Sequence, residues 1–324
     1  MAAARVFWAG LATATIAVTA ALGSSGAAAS PTATTSGISA PATLVPVYAG
    51  ADLTTPTYVA EAPVGKVATA TFVVTYHGFS APAKAAFQRA VSYWSTQLVS
   101  SVPITLDATF TALAPGVLGS AGPTGLYRDF TGAPAAGTWY VDAVANKHFG
   151  SQINTLPDIN ANFSSAFSNW YFGTGRAPAG TYDFQSVVTH ELGHGLGFLG
   201  AGRVSGSTGT VRLSGLPTAY DRFTEIGSGK KLLTYPDASA QLASVLQSNN
   251  VVIDTPAVRA AHANKPAKLY APTTWRQGSS YSHLDEASFP PGTADSLMTY
   301  ALGSGETIRS EGPVTRAIFK AVGW

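Results

Sequence analysis

Five consecutive residues, His190 to His194, restrict the fold more than any other feature of this sequence. They read His-Glu-Leu-Gly-His, so two imidazoles stand four positions apart and a carboxylate follows the first. On an α-helix, residues at i and i+4 lie on one face, whereas on a strand they would be about 13 Å apart. A helix must therefore pass through His190 and His194 if both are to bind one metal ion.

The pattern H-E-x-x-H is typical of metal-assisted hydrolysis. Zinc bound by three protein ligands keeps a position for water, whose pKa it lowers to about 7. Glu191 could take the proton from that water while a peptide carbonyl is attacked. The spacing predicts a zinc-dependent peptidase with Glu191 as general base, although two surface histidines on an amphipathic helix would give the same letters.

The absence of cysteine narrows the chemistry further. None of the 324 residues is cysteine, which excludes a disulfide scaffold, a thiolate zinc site and a cysteine nucleophile. Nineteen basic and seventeen acidic residues, without a Lys/Arg block, exclude an electrostatic surface for nucleic acid. We expect one catalytic zinc ion bound by His, Asp or Glu, no nucleic-acid partner and a monomer. The sequence leaves calcium binding open.

Residues 1–29 are typical of a secretory signal peptide. Arg5 supplies one positive charge, residues 6–22 form an apolar run, and Ala27 to Ala29 supply small residues for cleavage. We expect a secreted, extracellular protein without stable membrane association, and an uncleaved membrane anchor is the alternative. Residues 30–65 are rich in Pro, Thr, Ala and Ser, which predicts a linker or short propeptide without a stable fold.

Local patterns predict an α+β fold for the rest of the chain. Ser80 is an expected N-cap, with helical apolar spacing up to Leu98, and Asp183 is the expected N-cap of the helix that carries the motif. We divide this region into an upper part, 66–200, and a more irregular lower part, 201–324. Further predicted elements are strands at 71–76, 104–110, parts of 138–144, and 159–163, and helices at 238–247 and 315–322.

A catalytic zinc ion usually needs a third protein ligand. The pattern H-E-x-x-H-x-x-G-x-x-H would place it at position 200, which is glycine, while Gly197 matches the glycine of the pattern and would let the chain turn sharply. His283 is the main candidate for the third ligand and His262 the main substitute. Carboxylate alternatives are Asp221, Glu225, Asp285 and Glu286, whereas His77 and His148 are expected to be structural or solvent-facing.

These motifs together resemble the leishmanolysin-like branch of the metzincin zinc peptidases. Residues 190–198 read HELGHGLGF, residues 282–286 (SHLDE) contain a distant histidine, and residues 296–300 (SLMTY) resemble the methionine turn of that superfamily. The resemblance covers about residues 67–324. It implies His190, His194 and His283 as ligands, Met298 in a turn beneath the metal, and a Tyr300 hydroxyl near the metal as in astacins and serralysins.

The same resemblance implies a fold and a substrate. The expected fold is a metzincin-like α+β domain with a twisted sheet, an active-site helix, and an irregular lower subdomain that ends in a C-terminal helix. A protein or peptide substrate would add to an edge strand, for which residues 159–163 are the candidate. Leishmanolysin is cysteine-rich and this chain is not, so membrane anchoring and cysteine-based latency are not implied.

A rival interpretation comes from another functional class. The chain could be a secreted metal-binding or surface-interaction module that keeps this fold without turnover. Glu191 argues against it, because binding a metal does not require that carboxylate.

Overall fold

The computed structural model describes residues 37–60 and 67–324. The predicted signal peptide lies outside the described residues. Within these ranges no helix is both long and apolar enough to cross a membrane. The described elements are β1 (Ile38–Pro41), β2 (Val45–Val59), β3 (Phe72–His77), α1 (Ala81–Gln97), β4 (Ile104–Thr111), β5 (Val117–Pro123), β6 (Gly125–Arg128), β7 (Tyr140–Val141), α2 (Asp142–Phe149), β8 (Ile159–Ser164), β9 (Trp170–Tyr171), β10 (Tyr182–Asp183), α3 (Phe184–Gly195), β11 (Arg203–Ser205), β12 (Thr208–Thr210), β13 (Thr224–Ile226), α4 (Ala240–Leu246), β14 (Val251–Ile253), α5 (Pro256–Ala261), β15 (Ala267–Lys268), β16 (Ala301–Ile308) and α6 (Gly312–Val322), with 3₁₀ turns at Asp221–Phe223, Leu232–Thr234 and Ser296–Met298.

The predicted α+β class is confirmed. The main sheet has six strands in the order β16, β2, β5, β8, β4, β3. Strands β3, β4 and β8 are mutually parallel, β5 is antiparallel to both of its neighbours, and β2 runs parallel to β16. The strands predicted at 71–76, 104–110 and 159–163 are confirmed as β3, β4 and β8.

The prediction that residues 159–163 form an edge strand is wrong. They form β8, which lies between β5 and β4. Its neighbour β5 has the sequence Val-Leu-Gly-Ser-Ala-Gly-Pro, which lacks the β-branched and aromatic residues typical of strands. Pairing with β8 on one side and β2 on the other stabilises β5 despite this composition.

The prediction that residues 30–65 lack a stable fold is also wrong over the described part. Strand β1 pairs with β6, and β2 pairs with β5 and β16. Of the fifteen residues of β2, only Val45 and Val47 are buried. The segment is ordered by partners that are distant in the sequence, so its own composition carries little signal. Processing of this segment as a propeptide stays a prediction.

The predicted strand within 138–144 is correct only in part. Strand β7 ends at Val141, and α2 spans Asp142 to Phe149. Its C-cap is Gly150, which adopts a left-handed conformation with φ 87°. A short apolar run does not distinguish a strand from a buried helix, and here the buried run continues through both.

The predicted helix boundaries are largely confirmed because each depends on a local cap. Ser80 accepts a hydrogen bond from the Ala83 N–H at the start of α1, and Asp183 accepts one from the Ser186 N–H at the start of α3. The helices predicted at 238–247 and 315–322 are α4 and α6, and α6 ends at Gly323. Helix α1 packs on α3, where the Trp94 indole N–H donates to the Thr189 carbonyl at 3.0 Å.

A buried polar network at the start of α2 should make stability depend on pH. The Asp142 carboxylate accepts hydrogen bonds from the Gly125 N–H and from Asn154. Burial, together with the nearby Asp158 carboxylate, raises the pKa of Asp142 to about 7. The folded protein therefore keeps a proton that the unfolded chain loses near pH 4, so stability falls as pH rises between these values.

We predict that Asp142→Asn flattens this dependence. The variant's free energy of unfolding, relative to the wild type, should rise between pH 4 and 7 by up to about 1.4 kcal/mol per pH unit, since asparagine does not titrate. Urea unfolding at several pH values measures the difference. Asp129→Asn is the control, because the Gly137 N–H lowers the pKa of Asp129, so its ionisation affects stability only below about pH 4 and the difference should stay constant between pH 4 and 7. A constant difference for Asp142→Asn would contradict the prediction.

Candidate metal centre

Helix α3 presents His190 and His194, and its C-terminal turn orients the second. The Phe198 N–H donates to the Gly193 carbonyl, and the Gly197 N–H donates to the His194 carbonyl. This is a Schellman motif, which requires a left-handed residue after the cap, and Gly197 supplies it with φ 115°. The turn brings the Phe198 carbonyl within 2.8 Å of His194 Nδ1.

His283 returns to α3 from a position 89 residues beyond His194. His194 Nε2 lies 3.0 Å from His190 Nε2 and 3.1 Å from His283 Nε2, and all three side chains are buried. The three histidines could hold a metal ion, and no other such group of His, Asp or Glu occurs in the described ranges.

Each imidazole is oriented by a backbone carbonyl on its other nitrogen. His190 Nδ1 lies 2.5 Å from the Leu297 carbonyl oxygen. His283 Nδ1 lies 2.8 Å from the Ser279 carbonyl oxygen, and His194 Nδ1 lies 2.8 Å from the Phe198 carbonyl oxygen. A carbonyl only accepts, so each Nδ1 carries the proton and each Nε2 presents a lone pair. The Nε2 lone pair of His194 thus lies about 3 Å from those of His190 and His283, an arrangement that a cation would stabilise.

Burial also keeps these histidines in the state that binds metals. It lowers the pKa of His190 to about 4. Burial lowers the pKa of His194 and His283 as well, and the neighbouring imidazoles add to the effect. All three side chains are therefore neutral at pH 7, as metal binding requires.

Met298 lies directly behind α3. It is buried at the end of a 3₁₀ turn, and a Cβ placed on Gly193 would lie 2.8 Å from its sulfur. The preceding residue supplies the carbonyl that orients His190, and the Met298 carbonyl accepts a hydrogen bond from the Leu284 N–H. The 3₁₀ turn thus links His190 to the strand-like stretch that carries His283.

Tyr281 and Asp221 form a buried pair that lies next to His283 in the fold and was not predicted from the sequence. Tyr281 has φ 76°, an uncommon conformation for a residue with a side chain, and its hydroxyl donates to Asp221 at 2.8 Å. The Tyr281 ring lies against Gly200 and Gly202, where a Cβ would collide with it. Burial raises the pKa of Asp221 to about 6. The sequence signal for this packing was the pair of glycines at 200 and 202, but no local pattern connects these glycines with Tyr281.

Glu191 is fully buried on the same helix, facing β5. Its Oε1 atom accepts a hydrogen bond from the Val47 N–H at 3.1 Å, and the Ala121 N–H also hydrogen-bonds to the carboxylate. Its Oε2 atom has no hydrogen-bond partner in the described part of the chain. Burial raises the pKa of Glu191, and the two backbone donors partly oppose this.

The remaining candidates lie apart from the histidine cluster or have other contacts. The Tyr300 ring stacks on Tyr270 with centroids 4.2 Å apart, and a catalytic role for its hydroxyl stays a prediction. His262 Nδ1 lies 3.0 Å from the Pro266 carbonyl oxygen, and its ring packs on Phe289. The other contacts are Glu225 with Lys231, Asp285 with Lys268, His77 with Asp107, and His148 with the Gly323 carbonyl.

Comparison of the chain with protein-family models, with curated proteins and with solved structures finds no match in any of the three.

Proposed function

We propose that this chain is a secreted zinc-dependent endopeptidase. The observation that carries the proposal is the convergence of three buried, neutral imidazoles with the carboxylate of Glu191 on the adjacent position of α3. Tetrahedral zinc with Zn–N bonds of 2.0–2.1 Å would separate its ligand nitrogens by about 3.3 Å. The observed separations of 3.0 and 3.1 Å are close to this value.

The chain's own residues would have distinct roles in peptide hydrolysis. Bound zinc would lower the pKa of a water and polarise a peptide carbonyl. Glu191 would accept a proton at Oε2, the oxygen without a protein partner, and later pass it to the amine nitrogen of the leaving group. Burial raises the pKa of Glu191, which makes the carboxylate a stronger base than an exposed one.

The sheet beside Glu191 favours a peptide as substrate. The β5 backbone pairs with an extended segment of the chain itself, Val45 to Tyr48, which runs antiparallel to it next to Glu191. A protein segment in extended form could make the same backbone hydrogen bonds. The substrate class proposed here is therefore an extended peptide.

We predict one zinc ion per chain and peptide hydrolysis that depends on it. Elemental analysis of protein purified without chelator should find stoichiometric zinc, and His190→Ala/His194→Ala should lose it. Hydrolysis of a mixed library of quenched fluorescent peptides is measured on the intact chain and on a chain cut between Ala60 and Val67, because β2 covers Glu191. Protein without any transition metal would contradict the proposal. Stoichiometric zinc without hydrolysis in either form would favour the inactive metal-binding module.

A further inference from the structure

Strand β2, the fifteen-residue strand that follows β1, passes beside Glu191 of the candidate site. Strand β2 pairs antiparallel with β5 through Val45 to Tyr48, opposite Ala121 to Val117. It continues to Val59 in parallel with β16, the strand that follows the Met298 turn. The segment therefore fills the space in the sheet between β5 and β16, beside Glu191.

The hydrogen bond from Val47 to Glu191 is not a productive substrate contact. A general base needs a free lone pair directed at a water. The Val47 N–H instead donates to Glu191 Oε1 at 3.1 Å and occupies that oxygen. The segment thus occupies one oxygen of the Glu191 carboxylate and the groove beside it.

The segment touches both sides of the groove in which it lies. Pro46 packs on Gly278 from the lower part, where a Cβ would be 2.7 Å from the proline Cδ. On the opposite side a Cβ on Gly122 of β5 would be 2.5 Å from the Thr43 carbonyl oxygen. The Tyr48 N–H donates to the Tyr300 carbonyl at 3.1 Å. These contacts leave no room for a second extended chain.

Open clefts lie at both ends of this covered stretch. One is bounded by Pro41 to Thr43, and the other by Tyr48 to Ala51. Gln277 borders both clefts, and the chain between Thr43 and Tyr48 runs between them. Displacement of this stretch would join the two clefts into one groove past Glu191.

The segment contributes few side chains to the core. Only Val45 and Val47 of β2 are buried, whereas every residue of β16 is. Its register is irregular between Val47 and Tyr48 opposite β5, and at two places opposite β16. Its displacement would break the backbone pairing with β5 and β16 but would remove only two buried side chains of its own from the core.

We propose that residues 38–59 are a built-in inhibitory segment that occupies the peptide-binding groove, holds Glu191 through the Val47 N–H, and must be displaced for substrate to bind. This regulation rests on the proposed peptidase function. It requires no cysteine, since the contact to the catalytic carboxylate is made by a backbone N–H. The occupant of the groove in the latent state is this segment of the chain itself.

The test begins with the full chain, folded with the recognition sequence of a site-specific protease in place of residues 61–66. The neighbouring residues Ala60 and Val67 are exposed. After cutting, gel filtration in low urea separates residues up to 60 from the rest, and tryptophan fluorescence reports whether the remainder stays folded. Acylation of His190, His194 and His283 by diethyl pyrocarbonate, read by mass spectrometry on metal-free protein, measures access to the site without zinc or activity.

We expect the three histidines to be acylated at least tenfold faster after release of the segment, and peptide hydrolysis by the zinc-loaded protein to rise at least tenfold. A synthetic peptide of residues 37–60 should reverse both changes. Faster acylation without hydrolysis would support the inhibitory position of the segment and contradict the peptidase function. Full hydrolysis by the intact chain would overturn the inference and leave that function standing.

Two substitutions test the same contacts in the cut chain. Val47→Pro removes the N–H that bonds to Glu191, and Gly122→Ala presses on Thr43 and Leu44 without altering the segment. Both should release the segment at lower urea than the parent, whereas Val47→Ala, which keeps the N–H, should leave Glu191 bonded and shift release less than Val47→Pro does. A segment that stays bound until the whole protein unfolds, in the parent and in both variants, would overturn the proposal.

Discussion

Replacement of Glu191 by glutamine should reduce peptide hydrolysis by at least about 10³-fold while zinc stays stoichiometric. The amide has nearly the same shape and can accept the hydrogen bonds from Val47 and Ala121, but it cannot take a proton. General acid–base catalysis contributes about 10²–10⁴-fold, and a loss of 10³-fold corresponds to about 4 kcal/mol in the activation free energy. The rate is measured on protein freed of residues up to 60, so that β2 does not limit it.

The metal-free Glu191→Gln protein should be no less stable than the wild type. The wild-type carboxylate is buried with a raised pKa, and a neutral amide avoids the cost of burying its charge. Glu225→Gln is the matched control, since Glu225 is also buried but pairs with Lys231 away from the histidines. Its hydrolysis rate should stay within about twofold of the wild type. Near-normal hydrolysis by Glu191→Gln would show that another group is the base.

The His283→Ala variant should lose zinc affinity by more than about 100-fold. Changes to groups that only orient a metal ligand cost about 10–100-fold, so removal of a ligand itself should cost more. The variant also leaves His190 and His194 as the only remaining members of the cluster. Competition with a chromophoric zinc chelator measures the dissociation constant, and the zinc-dependent rise in melting temperature should shrink accordingly.

His262→Ala is the matched control for this measurement. His262 lies in the same lower part of the chain, but its imidazole faces the Pro266 carbonyl and Phe289 rather than α3. Its removal should change the zinc dissociation constant by less than about twofold. Equal losses for the two variants would mean that the histidine cluster does not bind zinc as a unit.

The parts of the site that could be predicted from sequence are those built by neighbours in the chain. Asp183 caps α3, the spacing of His190 and His194 matches one helical turn, and Gly197 ends the helix with a positive φ. Each depends on contacts over five or fewer residues, so residue type and spacing are sufficient. The same reasoning explains why the predicted start of α1 and the predicted end of α6 agreed with the structure, whereas α6, which has no side-chain N-cap, begins three residues before its predicted start.

His283 was identified by resemblance, since spacing alone left His262 and several carboxylates open. Loop-closure cost grows slowly with length, so it does not distinguish one distant histidine from another. The choice is made by packing: Tyr281, with its hydroxyl on Asp221, and the Ser279 carbonyl together direct His283 toward α3. The Tyr281–Asp221 contact joins residues 60 positions apart, and no local pattern marks it.

For a related reason, the residue composition of β2 and β5 did not predict that these segments are strands. Both are rich in Gly, Ala, Thr or Pro, and both are strands because each has partners on two sides. Strand formation depends on cross-strand partners more than on the residues of the strand itself. The edge of the sheet was therefore assigned to β8, although β5 and β2 lie beyond it.

By itself, the sequence determined the helix, the chemistry that its side chains can perform, and the exclusion of any thiol ligand, because these follow from residue identity and short spacing. Only the tertiary structure decided that His283 completes the cluster and that Val47, 144 residues from Glu191, lies on its carboxylate. The physical reason is that the Val47 contact is made by a backbone N–H, a group that every residue except proline carries. Residue identity cannot mark such a donor, so its position is set by strand pairing across the folded sheet.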